Sequence, residues 1–109
     1  MTQKQEHILC SAIHYNDGRK HVHQPVNIKV GMVVCGLRHH NCFYTLYEMS
    51  KRRFLFWTWH DLSYKKNCVQ GFLTSNNRFV DRKDASTIAY MAGQIKERLA
   101  KLHSEDLWR

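Results

Sequence analysis

Gln70-Gly71-Phe72-Leu73-Thr74-Ser75-Asn76-Asn77-Arg78-Phe79-Val80-Asp81-Arg82-Lys83-Asp84-Ala85 is the stretch whose reading decides the fold. Two short apolar runs flank a polar Ser75-Asn76-Asn77 centre, which predicts a hairpin over 70–80. Asp81 then stands where a helix N-cap belongs, with Asp84 at the third position after it, a variant of the capping box. Ala85, Ile88, Ala89, Ala92, Ile95, Leu99 and Leu102 follow as a stripe at helical spacing. Gly93 weakens that helix or ends it early. The same stretch puts Phe72, Phe79 and several basic groups around a helix N-terminus. Unpaired backbone N–H groups and the positive end of the helix dipole suit a phosphate there. An aromatic ring beside such a site can stack on a base. The local chemistry therefore points to a nucleotide-like ligand.

Upstream, residues 7–14 read as a first strand, and Asn16-Asp17-Gly18 as a turn. Residues 19–24 alternate weakly and predict a returning strand, which the only proline, Pro25, ends. Ile28-Lys29-Val30-Gly31-Met32-Val33-Val34-Cys35 is rich in β-branched residues and predicts another strand. Gly36-Leu37-Arg38 connects it sharply to a helix over 39–52, whose apolar positions are Phe43, Leu46, Tyr47 and Met49. Lys51-Arg52-Arg53 suits the carbonyl end of that helix. Its start is in conflict with the dipole. Arg38, His39 and His40 put positive charge where the helix is already positive, and no acidic cap precedes them. The arrangement costs a few tenths of a kcal/mol or more unless an anion sits there. A local rule broken in this way marks a candidate functional site.

Phe54-Leu55-Phe56-Trp57-Thr58-Trp59 is apolar on both faces of a strand. It reads as a buried strand or helix start or, with two tryptophans, as an oligomer interface. Residues 60–68 read as a polar connection. Ser104-Glu105-Asp106-Leu107-Trp108-Arg109 reads as a docked tail anchored by Leu107 and Trp108, and residues 1–6 as a loose one. The sum is a mixed α/β chain of the α+β kind: one domain over residues 1–109, a small, mostly antiparallel sheet packed with two helices.

The 109 residues suffice for one modest core, and 43% hydrophobic content is too high for a disordered chain. No apolar run reaches the ~18 residues of a membrane span, and Met1 to His7 lack the apolar core of a signal peptide. A cytoplasmic location is expected. There, the four widely spaced cysteines are thiols rather than disulfides. A net charge of +8 favours anionic partners, although solubility explains part of it. The eight histidines add positive charge near a phosphate, because a nearby anion raises the imidazole pKa.

Each feature has a plainer reading. Cys35, His39, His40 and Cys42 are zinc-ligand types, but eight residues across a strand end and a helix start do not easily surround one ion, so no metal is expected. A cysteine nucleophile near a histidine is common by chance in so histidine-rich a chain, and no paired hydrolase carboxylates are evident. Arg38, His39 and His40 read equally as solvated loop residues. Phe72 and Phe79 read as hairpin core, Arg82 and Lys83 as an exposed first turn, and Arg98 as a solvated helix face. The combination of a basic strand-to-helix corner with a second basic, aromatic helix start favours a ligand.

Cys35-Gly36-Leu37-Arg38-His39, Gln70-Gly71-Phe72-Leu73-Thr74, Arg78-Phe79-Val80-Asp81-Arg82-Lys83-Asp84-Ala85, Ala92-Gly93-Gln94 and Ser104-Glu105-Asp106-Leu107-Trp108 together resemble a set of small phage proteins that includes the first-described Thoeris anti-defence family. The similarity runs from residue 8 to residue 108. It implies a non-enzymatic sponge without a cofactor. Such a protein holds the cyclic ADP-ribose isomer made by host TIR-domain proteins, in some members also cyclic oligonucleotides at a separate site, without degrading it. It implies homo-oligomers of dimer units, up to hexamers, in the host cytoplasm. Carried onto this chain, it implies that Phe72 contacts the base, that Arg82 and Arg98 meet the pyrophosphate, and that Arg38 and His39 form the basic corner. Asp81 stands where asparagine is common, and either accepts from a ribose hydroxyl or caps the helix. Two rival readings use the same residues. A small nucleic-acid-binding phage protein needs a continuous basic track and strong salt dependence. An enzyme cleaving a nucleotide signal needs a histidine acid or base.

Overall fold

The computed structural model describes residues 5–52 and 68–108. The apolar run 54–59 and residues 60–67 of the connection read over 60–68 lie outside the described residues, and Cys68 already belongs to a strand. The elements are β1 (Ile8–Tyr15), β2 (Met32–Gly36), α1 (His39–Arg52), β3 (Cys68–Thr74), β4 (Phe79–Asp81), α2 (Arg82–Met91) and a short α3 (Ser104–Leu107). The strands form one sheet in the order β2-β1-β3-β4, and every neighbouring pair is antiparallel. The fold is α+β, a small antiparallel sheet packed with helices.

Period-two alternation decides what each face carries. The register pairs Ser11 with Phe72 and Phe72 with Val80, so these side chains share a face. Both longer helices cover that face. Ala85 and Ala89 of α2 join Ile8, Phe72, Val80 and Leu102 in one core cluster. Leu46 of α1 joins Tyr15 and Val34 in another. Burying each large apolar side chain contributes about 1.5–3 kcal/mol, so the helices hold the sheet from one side.

The segment 16–31 differs from the expected returning strand. Asn16 Oδ1 accepts from Gly18 N (3.0 Å) and Asp17 Oδ1 from Arg19 N (2.9 Å), so side chains satisfy the turn backbone. The chain then leaves the sheet and serves it as a strap. Gln24 Oε1 accepts from Val33 N (2.7 Å) on the outer strand β2. The Asn27 carboxamide takes both backbone groups of Phe79, N at 2.9 Å and O at 2.7 Å, on the opposite outer strand β4. These side chains occupy pairing groups that edge strands otherwise offer to another chain. Strand β2 accordingly starts at Met32 rather than residue 28.

Two further expectations are corrected. The stripe beyond Met91 is not helical, and of the two roles read for Gly93 the early stop holds: Gly93 has φ 76°, its N–H reaches Tyr90 O (3.1 Å), and Gln94 N reaches Ala89 O (2.8 Å). This is a Schellman stop, which needs the left-handed residue glycine adopts at little cost. Gln94 then forks onto the start of β1, accepting from Ile8 N (2.8 Å) and donating to Ile8 O (2.9 Å). Nor is residue 6 loose. Arg78 donates to both Glu6 carboxylate oxygens (2.9 and 2.8 Å), and Thr74 Oγ1 donates to one of them (2.6 Å). The Arg78 hydrogen bond is the main cause holding the Glu6 carboxyl below its ordinary pKa.

Candidate functional site

The two long helices begin side by side. At α1, the Arg38 carbonyl accepts from Asn41 N (3.0 Å), and Arg38 N donates to Asn41 Oδ1 (3.1 Å). That is half of a capping box, with the side chain of the third residue serving the cap. At α2, Asp81 Oδ1 accepts from Asp84 N (2.8 Å), an ordinary N-cap. His39 and Arg82 are the first residues of their helices, and His39 Nδ1 lies 3.4 Å from Arg82 Nη2.

His39 is buried, with 7% of its surface exposed. Its Nε2 is 2.8 Å from the Gly71 carbonyl oxygen, which can only accept, so Nε2 carries the hydrogen. Nδ1 then presents its lone pair to Arg82. The Phe72 ring meets the imidazole edge-on, with centroids 5.0 Å apart at 80°. Burial is the main cause lowering the His39 pKa, and the charge of Arg82 acts in the same direction. The imidazole is therefore neutral near pH 7.

Arg82 is held on three sides. Nη1 donates to Leu102 O (3.0 Å), and Nη2 reaches Gln70 Oε1 (2.6 Å) as well as His39. Burial lowers its pKa while Glu105 and Asp106 oppose the shift, and it stays a cation. Arg38 Nη2 donates to Trp108 O (3.1 Å). Both guanidiniums thus grip backbone carbonyls of the C-terminal segment. Leu102 anchors that segment by complete burial and by donating its N–H to Arg82 O (2.9 Å). Between the two gripped carbonyls lies Glu105. Its own backbone N–H, and beyond it Arg38, His103 and Arg82, hold its carboxyl below the ordinary range.

The structure brings Arg38, His39 and Arg82 together. It does not bring Phe72 to a ligand: the ring is fully buried in the sheet–helix core, because it shares the covered face with Val80. The hairpin-core reading of Phe72 replaces the stacking one. Asp81 is exposed and caps α2. Arg98 lies beyond the end of α2, is exposed, and shares neither the His39–Arg82 contact nor the hydrogen bonds that Arg38 and Arg82 make to the C-terminal segment. Sequence reasoning missed Gln70, Glu105 and the Leu102 and Trp108 carbonyls. The Ser104-Glu105-Asp106-Leu107-Trp108 motif was the one available signal for Glu105, and it carries no mark of proximity to Arg38.

Two arginines facing Glu105 and Asp106 make a mixed corner rather than a bare cation cluster. Such a site suits a ligand with phosphate oxygens for the guanidiniums and hydroxyls for a carboxylate. Arg38 is the freer arginine, with one side-chain hydrogen bond among the described residues against Arg82's three. Among the described residues no three His, Cys, Asp or Glu side chains converge as a metal site.

A family model described as the phage T4 y16D protein matches residues 7–108, nearly the whole chain. The chain belongs to that phage protein family. No curated protein and no solved structure matches it.

Proposed function

We propose that this phage-family protein binds a cyclic nucleotide immune signal and sequesters it without cleaving it. The signal is the glycocyclic ADP-ribose made by TIR proteins of the host, with cyclic oligonucleotides as a further class. The protein works as an anti-defence sponge in the host cytoplasm, as a homo-oligomer of dimer units, without cofactor, metal or enzymatic step. The observation that carries this reading is the meeting of two helix N-termini with Arg38 and Arg82 beside them. Two positive dipole ends and two guanidiniums converge on one corner, which favours a phosphate-bearing ligand. The phage setting of the family supports a target in the infected cell. Charge-assisted contacts suit the tight binding a sponge needs, since affinity and abundance are its only means.

Arg38 meets the phosphates, through the donors that no described residue takes. Arg82 and His39 hold the corner in shape. Asp81 serves the fold by capping α2, and Phe72 by filling the core.

Calorimetric titration with glycocyclic ADP-ribose, then heating and chromatography of the released ligand, tests the reading. The expected result is tight binding with intact ligand recovered, and a loss of roughly tenfold or more for Arg38→Ala. No binding to this messenger or to cyclic oligonucleotides overturns the sponge. Binding to single- or double-stranded nucleic acid that weakens steeply with salt points to the nucleic-acid reading instead. Altered ligand in the released fraction makes the protein an enzyme.

A further inference from the structure

Cys10 and Cys35 stand on neighbouring strands at the approach to the corner. The register pairs Ala12 of β1 with Cys35 of β2, and Ser11 with Gly36. Cys10 lies two residues before Ala12, so it shares a sheet face with Cys35. The position opposite Cys10 falls at residue 37, which makes Cys35 its diagonal neighbour. Diagonal pairs on one face stand about 7–8 Å apart, and these two thiols lie close enough for each to be the leading influence on the other's ionisation. The pairing of β1 with β3 shifts register between Ile8 and Cys10, and such a bulge increases local twist.

The two thiols differ in access. Cys35 is exposed and Cys10 half-buried. The other cysteines are placed otherwise. Cys42 is buried in α1 with its Sγ 3.5 Å from both Ser11 O and Arg38 O. Cys68 pairs with Tyr15, five positions along β1 from Cys10, about 16 Å away at ~3.3 Å per residue.

We propose that Cys10 and Cys35 form an oxidant-responsive thiol pair, with Cys35 as the reacting sulfur and Cys10 as the resolving one. Neither residue contributes a side chain to the proposed ligand corner, so the inference stands apart from the sponge reading. The neighbouring Cys10 thiol draws the Cys35 pKa down to about 7, while Cys10 itself is pushed up. An accessible, readily ionised cysteine beside a resolving partner is the arrangement redox-sensing thiols share.

The oxidant is a hydroperoxide. The Cys35 thiolate attacks the terminal peroxide oxygen. An S–O bond forms, the O–O bond breaks, and the leaving alkoxide or hydroxide takes up a proton. Cys10 sulfur then attacks Cys35 sulfur. The S–S bond forms, the S–O bond breaks, and hydroxide leaves as water with the Cys10 proton. In sum, two thiols and one hydroperoxide give one disulfide, one alcohol or water, and one further water. The product ties the end of β2 to β1 three residues before Arg38, stiffening the strand that leads into the corner.

The test treats the reduced, full-length protein with one equivalent of hydrogen peroxide and maps the products by peptide mass spectrometry. The expected product is an intramolecular Cys10–Cys35 linkage, lighter by two hydrogens and reversed by dithiothreitol. In Cys10→Ser, Cys35 stops at a sulfenic acid that dimedone traps. In Cys35→Ser, Cys10 stays unmodified under the same treatment. Oxidation spread evenly over the four cysteines, a linkage through Cys42 or Cys68, or no reaction each overturns the proposal. The wild-type map alone decides between these outcomes, so the result does not depend on a variant folding.

Discussion

The starts of α1 and α2 solve the same problem in opposite ways. Helix α2 is locally complete: Asp81 caps it, and Asp84 places an acid in its first turn against the dipole. Helix α1 has no acid in its first turn and begins with His39 and His40. Its conflict is settled at a distance. Burial holds His39 in its neutral form, with Gly71 O accepting from its Nε2, and Glu105 from the far end of the chain faces Arg38 and Arg82. A helix start that needs tertiary partners is the one that can also take a ligand in their place. A self-sufficient one offers a ligand less.

The largest expected effect removes the holder of α1. Gly71 lies so close to β4 that a Cβ there runs into the Val80 carbonyl oxygen and the Phe79 ring. Gly71→Ala forces the new methyl group against the β4 backbone, and it shifts the carbonyl that His39 donates to. We expect a loss of about 3 kcal/mol, at the upper end of overpacking costs, read as a lower urea midpoint with unchanged slope. A loss below about 0.5 kcal/mol shows that the strands separate easily there.

Next comes the cap of α2. Asp81→Ala removes the acceptor for Asp84 N and costs about 1 kcal/mol. Asn41→Ala at α1 removes only the reciprocal half of a box, and is expected to cost less. The contrast between the helices sharpens if the two unfolding midpoints separate in that order. Equal costs would mean that α1 depends on its local cap as much as α2 does.

Much of this was legible because it is local. Helix α1 over 39–52 follows from Gly36 and the spacing of Leu46 and Met49, and the hairpin follows from its polar turn. Motif residues largely serve the fold, and two such roles, the early stop at Gly93 and the anchoring by Leu107 and Trp108, were legible as well. Gly71 permits close approach of β4. Gly93 and Gln94 stop α2 and fork onto β1. Leu107 and Trp108 pack against the core. Phe72 sits in one of these motifs, and only the side covered by the helices decides whether its ring is core or platform. The strap 16–31 was illegible for a similar reason. A carboxamide can imitate a strand's donor and acceptor, and no local pattern tells Asn27 where Phe79 will be. Arg38, His39 and Arg82 stood out as charges at helix starts, whereas the carbonyls of Leu102 and Trp108 that hold the arginines carry no side-chain signature.

The third prediction concerns pH. His39 has its folded pKa depressed chiefly by burial, below the ordinary value of about 6.5. Between the folded and unfolded values the unfolded chain binds more protons, so unfolding gains as pH falls. The stability that neutral His39 contributes is whole above about pH 6.5 and is lost as pH falls through the folded pKa. His39→Gln keeps a donor for Gly71 O without a titrating group. Its unfolding midpoint should change less than wild type's between about pH 7 and pH 5. Parallel profiles would remove His39 as the source of the slope.

The smallest effect tests the compensation itself. Glu105 is exposed, so Glu105→Gln should leave the unfolding midpoint nearly unchanged. It removes the carboxylate that faces Arg38 and Arg82 while keeping the backbone grip on Leu102 and Trp108. Affinity for inorganic pyrophosphate, a probe that offers charge and no hydroxyl donor at neutral pH beyond its own phosphate protons, should then rise roughly threefold at low salt. The gain should fade as ionic strength rises and the Debye length shrinks. Glycocyclic ADP-ribose should gain less than pyrophosphate, because the carboxylate lost is also an acceptor for ribose hydroxyls. If both ligands gain alike, Glu105 acts only as a counter-charge. If neither gains, the acidic residue is a solvated neighbour, and α1 settles its conflict through the burial of a neutral His39 alone.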